Sequence, residues 1–464
     1  MTQTASSGID ELRAAIGGVV VAPGDSAYDD ARRVWNADID RRPAVVAQCL
    51  SAEDVRAAVL FGVRNGLEIA VRGGAHSMSG ASTVDDGLMI DVSRLNQVTV
   101  DPETKRAVAG GGAKLAELDA AGQEHGLATP AGAISHTGIA GLTLGGGMGW
   151  LSRKHGLTLD NLLSVEIVTA DGQILRASAD ENPELFWAVR GGGGNFGVVT
   201  QFEFQLHDVG PIVQYGIQFW SLEQGAEVLR YARDLIPTLS LDFNVVIGAI
   251  TAPPAPFLPK HYHHEPGYAL IVVGFGTPEE HEALLDQIHE AIPPRWEFAT
   301  PMPYTALQQS IDEPNSWGNH CYDKGSYLET LSDEAIEVIT QHVPLKSSPL
   351  SNVLFYRLDG AYSEVGEDET AFAGGRSPRY AVFLVAIAPV PELLPGDRAW
   401  VRAFWDALQP HTLGIGSYVN AMAENDYDRV KASYGEAKYA RLAKIKAQYD
   451  PGNVFHRNMN ILPG

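Results

Sequence analysis

The stretch "RGGGGNFGVVTQFEFQ", residues 190–205, contains a formal G-x-G-x-x-G at Gly192, Gly194 and Gly197. That spacing marks a dinucleotide-binding turn only when a strand precedes it and a helix follows, so that the helix N-terminus meets a pyrophosphate. Here the helical pattern comes first, in "ENPELFWAV" (residues 181–189), and the β-forming run Val198 to Gln205 comes after. The order is inverted, so the sequence predicts no Rossmann fold. The glycines must serve another need, backbone that turns sharply or passes close to another group.

Three more clusters lie upstream: Arg72-Gly73-Gly74, Gly110 to Gly112, and Gly145 to Gly147 with Gly149. Gly110 to Gly112 reads as tight turns between strands. "TPAGAISHTGIAGLTLGGGMGWLSRKHG" (residues 129–156) is built of small residues and is almost uncharged before Arg153. Neutral, backbone-rich surface suits a pyrophosphate held by main-chain N–H groups, and no G-x-x-x-x-G-K-[ST] loop is present. In "AVRGGAHSMSG" (residues 70–80) a single nucleophilic ring, His76, stands among Gly73, Gly74, Ala75, Ser77 and Ser79.

The remaining chain sets the frame. Its 464 residues exceed one hydrophobic core, so two domains are expected. With 45% apolar and 20% charged residues the composition is that of a soluble globular protein. A net charge of −23 repels phosphate backbones and argues against nucleic acid and anionic membranes as partners. There is no transmembrane-length apolar run and no secretory signal pattern. Two cysteines, Cys49 and Cys321, make no disulfide framework, and a cytoplasmic location is expected.

Residues 43–74 read strand, helix, strand, with Ser51 as N-cap and Gly66 closing the helix. "AKLAELDAAGQEHG" reads as a helix ending at Gly126, and Asp171-Gly172 as a hairpin turn. From about Val209 long β runs alternate with helical stretches, which predicts an α+β layer, a large sheet backed by helices. "HYHHE" (His261, His263, His264, Glu265) sits in a proline-rich loop and reads as solvated chain rather than a metal site.

"VRGGAHSMSG", "TPAGAISHTGIAGLTLGGGMGWLSRKHG", "LFWAVRGGGGNFGVVTQFEF" and "YDPGNVFHRNMNI" together resemble the vanillyl-alcohol-oxidase (PCMH) type of FAD-binding fold, and more narrowly the berberine-bridge-enzyme-like oxidases. The resemblance implies an FAD-binding domain from residues 1–210 plus 415–464, with its core at about 40–210, and a substrate domain of a large antiparallel sheet at 211–414. It implies FAD bonded covalently through its 8α carbon to His76. Around the cofactor it places Arg72, Gly73, Gly74, Ala75, Ser77, Ser79, Gly132, Thr137, Gly138, Gly141, Leu142, Gly145, Gly146, Gly197, Val199, Asn458 and Asn460. Many relatives carry a second tether, a cysteine, where this chain has Ile134, so a single covalent link is expected.

For the chemistry, "SYVNAM" matches the family's Y-x-N with Tyr418 and Asn420, and Tyr356 and Tyr380 lie on neighbouring β runs. The glutamate base of alkaloid-forming members is missing, since that neighbourhood reads Val382-Phe383-Leu384. Tyr418 becomes the candidate base or substrate-orienting phenol; a tyrosine merely packed on the sheet is the competing reading. Trp150 is either a wall of the substrate pocket or a core tryptophan. Thr137 falls at the family's oxygen-gating position beside flavin C4a, and with "SHTG" it resembles the bacterial enterocin-pathway, flavin-N5-oxide type.

The implied function is an FAD-linked oxidase of a small organic, aromatic or polyketide-like substrate, with molecular oxygen as acceptor. An enterocin-type oxygenase and a dehydrogenase of the same fold stay open, as does the oligomeric state.

Overall fold

The computed structural model describes residues 3–414, 416–422 and 427–464. The first sheet is four-stranded, in the order Val19–Val21, Val45–Gln48, Leu88–Asp91, Ile69–Arg72, with the last three strands parallel. Its crossover helix Ala52–Arg64 starts where Ser51 Oγ accepts the Asp54 N–H at 3.1 Å, as the capping pattern predicts. The second sheet is antiparallel, in the order Val98–Asp101, Arg106–Gly110, Val198–Gln205, Leu162–Val168, Ile174–Ser178. The strand Val198–Gln205 is thus central, which disposes of the dinucleotide reading of the glycines before it. Gly110, Gly111 and Gly112 pass so close to Leu95, Val199 and Val92 carbonyls that a Cβ would lie 2.0, 2.2 and 1.9 Å away, so their role is strand packing.

The third sheet holds seven antiparallel strands, in the order Trp296–Pro303, Ile212–Ser221, Pro266–Gly274, Phe243–Thr251, Asn352–Leu358, Arg379–Ala388, His320–Leu328. Alternation splits its residues between two faces. Val353, Phe355, Tyr380 and Val382 pack under the helices Gly225–Leu235, Asp333–His342 and Leu394–Leu408. Leu354, Tyr356, Ala381 and Phe383 face the other way, toward the glycine-rich part of the chain. The mixed helix-and-sheet architecture with a large antiparallel sheet is the expected one. Among the described residues no helix is long and apolar enough to cross a membrane.

The C-terminal residues return to the first half. Phe455 buries in the core of the first sheet and Ile461 in that of the second. Lys446, fully buried, donates to the carbonyls of Asn195 and Phe455 and to Asp450 at 2.7, 2.9 and 2.6 Å. Segment 366–376 of the later half also packs there: Arg376 grips Asp160 with two bonds of 2.8 and 2.7 Å, and Ala371 and Ala373 join the second-sheet core. Removing one member of a buried ion pair strands the other, at a cost of about 3–5 kcal/mol. Asp450→Ala is therefore expected to destabilise the protein by about that amount, read as a lowered midpoint in thermal or urea unfolding; a midpoint equal to wild type would show the pair to be dispensable.

Candidate active site

The strand Ile69–Arg72 runs into the loop of His76, and Ala75 adopts φ +57° there, a left-handed turn that costs any residue bearing a Cβ. Gly74 crosses Gly138 in near contact. A Cβ on Gly74 would stand 2.2 Å from Gly138 N, and one on Gly138 2.3 Å from Gly74 N. The two small-residue loops therefore touch backbone to backbone, and this brings His136 to His76: Nδ1 and Nε2 are 2.6 Å apart. On its other side His76 stacks on Trp35, with ring centroids at 4.6 Å and 19° between planes.

His76 Nδ1 has no hydrogen-bond partner among the described residues, whereas Nε2 is engaged. Burial, then His136, pushes its pKa down to about 3. At neutral pH the ring is uncharged and keeps a lone pair, the nucleophilic form. Arg72 does not enter the loop: its guanidinium donates to Ala31 O at 2.7 Å and pairs with Asp91. Ser77 and Ser79 bond to each other at 3.1 Å.

The neighbouring loop presents Thr137, half-buried, with its N–H on Ile134 O at 3.1 Å and its carbonyl accepting Leu115 N–H at 3.0 Å. Its hydroxyl has no partner among the described residues. Leu142 packs over Gly132, and Gly141 is exposed with nothing within 4 Å of where a Cβ would stand. Behind the loop Asn420 and Tyr418 sit on Gly145 and Gly146, at 2.2 and 2.8 Å from where their Cβ atoms would be. Tyr418 Oη accepts Gly147 N–H at 2.7 Å and Asn420 Nδ2–H at 3.0 Å. Burial raises the Tyr418 pKa to about 12, with these two donors acting in the opposite sense. The two donors fix the Tyr418 oxygen in place beside Gly146 and Gly147.

Phe383 touches Tyr356 and Tyr418 edge to face, at 5.6 and 6.1 Å, and forms an aromatic corner beside the glycines. Tyr380 lies elsewhere: it is buried on the helix-covered face, across from Arg357, and the structure does not bring it to the site. Trp150 is 3% exposed in the apolar core with Val213 and Ile217, so it reads as a core residue behind the site. Gly197 and Val199 are likewise accounted for by strand packing: a Gly197 Cβ would meet Val168 O at 2.4 Å, and Val199 O abuts Gly111. From the tail, Asn458 lies against Gly194, and Asn460 Oδ1 is buried without a partner among the described residues.

A flavin fits these residues. His76 Nδ1 is a free nucleophilic nitrogen, His136 Nε2 and Asn460 Oδ1 are buried without a partner among the described residues, and Gly141 is open on its outer side. Sequence reasoning passed over His136, Trp35 and Phe383. A second imidazole in a loop of small residues was the available signal for the first. Among the described residues no group of three or more His, Cys, Asp or Glu is placed to hold a metal.

Just beyond the glycines, His155 stacks on His207 at 3.9 Å, and His207 Nε2 meets Asn161 Oδ1 at 2.6 Å. Burial first, then His207 and Lys154, lower the pKa of His155 to about 4 from its ordinary 6.5, with Asp242 opposing. The folded state therefore favours the neutral ring. Its stabilising contribution is whole above pH 6.5 and is lost as pH falls through 6.5 toward 4. Melting temperature should drop over that interval, and His155→Phe should flatten the drop. An unchanged pH slope in that variant would clear the pair of this role.

The FAD-binding-domain family matches residues 43–178, and the berberine and berberine-like family matches residues 417–462. The FAD-linked oxidoreductase hasG of Aspergillus fumigatus is 41% identical over 96% of this chain and 97% of its own. The crystal structure of 6-hydroxy-D-nicotine oxidase from Arthrobacter nicotinovorans superposes with a TM-score of 0.84 at 29% identity, covering 97% of this chain and 98% of that one. Glucooligosaccharide oxidase from Acremonium strictum, with a 6-S-cysteinyl, 8α-N1-histidyl FAD, gives a TM-score of 0.84 at 25% identity, over 98% and 99% of the two chains.

Proposed function

This chain belongs to the FAD-linked, berberine-like oxidoreductases, and from that premise we propose that it is an oxidase holding FAD through a single bond to His76 and using molecular oxygen to oxidise a small aromatic or polyketide-like molecule. The observation that carries the reading is the contact of two small-residue loops that leaves His76 Nδ1 free while its Nε2 is held by His136. Bound FAD supplies a two-electron acceptor for hydride from the substrate. Residues 1–210 with 415–464 act as its binding unit, and 211–414 supply the substrate sheet. The Tyr356, Phe383 and Tyr418 rings offer an apolar, aromatic wall, and the Tyr418 hydroxyl is fixed to orient a substrate oxygen. Incubation with a panel of phenolic and polyketide-like compounds should bleach the flavin without air and consume oxygen with it. Bleaching without oxygen uptake would favour a dehydrogenase.

Tyr418→Phe keeps the ring and removes the hydroxyl. We expect kcat/KM to fall about ten- to a hundredfold, the worth of one or two hydrogen bonds, with flavin content unchanged. A variant as fast as wild type would show that the phenol only packs.

The enterocin-type oxygenase remains the second reading, favoured by the unpartnered Thr137 hydroxyl on the loop that carries His136.

A further inference from the structure

His76 is held on both sides by residues that are themselves anchored in one short segment, 312–315, of the later half of the chain. On one side His136 Nδ1 meets His76 Nε2 at 2.6 Å. The loop carrying His136 is fixed by Asp312, whose carboxylate accepts Ser135 N–H at 2.8 Å and Ser135 Oγ–H at 2.5 Å. On the other side the Trp35 ring stacks on His76, and Trp35 Nε1–H donates to Asn315 O at 2.6 Å. Trp35 N–H also binds Ala75 O at 3.0 Å, next to His76. Two anchors, more than 170 residues from the elements they hold, thus converge on one imidazole.

We propose that segment 312–315 is a clamp that sets His76 for attachment to FAD, with His136 as the base for that reaction and Asp312 and Trp35 as positioning residues. The inference rests on the His76 tether proposed above. The tautomer follows from the geometry. His76 must donate Nε2–H to His136 Nδ1 for its own Nδ1 to present a lone pair. His76 Nδ1 then forms the bond to the 8α carbon while that carbon loses one hydrogen as a proton. His136 Nδ1 takes the Nε2 proton, so no charge is left on the alkylated ring. The flavin gains the electron pair, takes up the two protons and is left reduced by two electrons. Molecular oxygen, becoming hydrogen peroxide, returns it to the oxidised state. His136 Nε2, buried and without a partner among the described residues, is the remaining place for the displaced proton to leave from.

The test reads attachment and not turnover. Flavin-depleted full-length protein is mixed with FAD in air, and the covalent adduct is followed by intact mass and by yellow colour in the acid pellet. His136→Ala should slow adduct formation at least about a hundredfold, as loss of a general base does, while still binding FAD reversibly. Added imidazole should restore part of the rate. Asp312→Ala should slow it about tenfold, and Asp312→Asn, which keeps one acceptor oxygen, by less. Trp35→Phe keeps the stack and loses only the bond to Asn315, and should also slow attachment should the alanine variants not fold. Adduct formation at wild-type rate in His136→Ala and Asp312→Ala, or no response of His136→Ala to imidazole, overturns the clamp while leaving the tether standing. A wild-type protein that forms no adduct at all overturns the tether and the clamp with it.

Discussion

His76→Ala protein should carry no covalent flavin: its intact mass should equal that of the bare chain, and acid should release all the yellow colour into the supernatant. No other group of the His76 loop is placed to take over the bond. The rest of the loop is Gly73, Gly74, Ala75, Ser77, Met78 and Ser79, and the two hydroxyls are occupied with each other. The position of the family's second tether is Ile134. Cys49 and Cys321 are both buried, and burial raises their thiol pKa values far above neutrality, so neither offers a thiolate. The cradle formed by Gly74, Gly138 and Gly141 is untouched, so FAD should still bind reversibly. Loss of the bond lowers the flavin's readiness to accept hydride, and turnover should fall about tenfold or more. An FAD adduct surviving in the variant would place the attachment elsewhere.

The second large effect is expected at Thr137. Both its backbone groups are bonded, to Ile134 and Leu115, so its main chain is held in place, and its hydroxyl has no partner among the described residues. Leucine adds a branched carbon beyond the reach of threonine, on a loop whose outer side is open at Gly141. Thr137→Leu should fill that space and slow reoxidation of reduced protein about tenfold or more, at least ~1.4 kcal/mol on the barrier. Thr137→Val keeps the shape and should reoxidise within about twofold of wild type, while losing whatever the hydroxyl contributes. Mixing anaerobically reduced protein with aerated buffer in a stopped-flow instrument measures both. A leucine variant that reoxidises at wild-type speed removes Thr137 from the oxygen path.

The interior of the seven-stranded sheet was legible because strands such as "YALIVVG" and "RYAVFLVAIA", covered on both faces, read as continuous apolar runs. Its two outermost strands were not. Trp296–Pro303 carries Pro301 and Pro303, and His320–Leu328 carries Asp323 and Lys324. Prolines and charges are what an edge tolerates and what blurs a strand pattern. The site divides in the same way. The His76 loop stood out through local composition, whereas Asp312 and Trp35 act across separations of 177 and 280 residues, which no local pattern encodes. Tyr356 and Tyr380 looked equivalent until register paired Tyr356 with Ala381 and Tyr380 with Arg357, putting the two rings on opposite faces.

The Lys446 ammonium has a consequence in time. It joins the carbonyl of Asn195, in the glycine turn, to that of Phe455, near the chain's end. Domains fold as they leave the ribosome, N-terminal parts first. The strands of the early sheets are translated first, but the carbonyl of Asn195 waits for a cation translated some 250 positions afterwards. A nascent chain stalled before Lys446 would therefore lack the cation that ties the glycine turn to the carbonyl of Phe455.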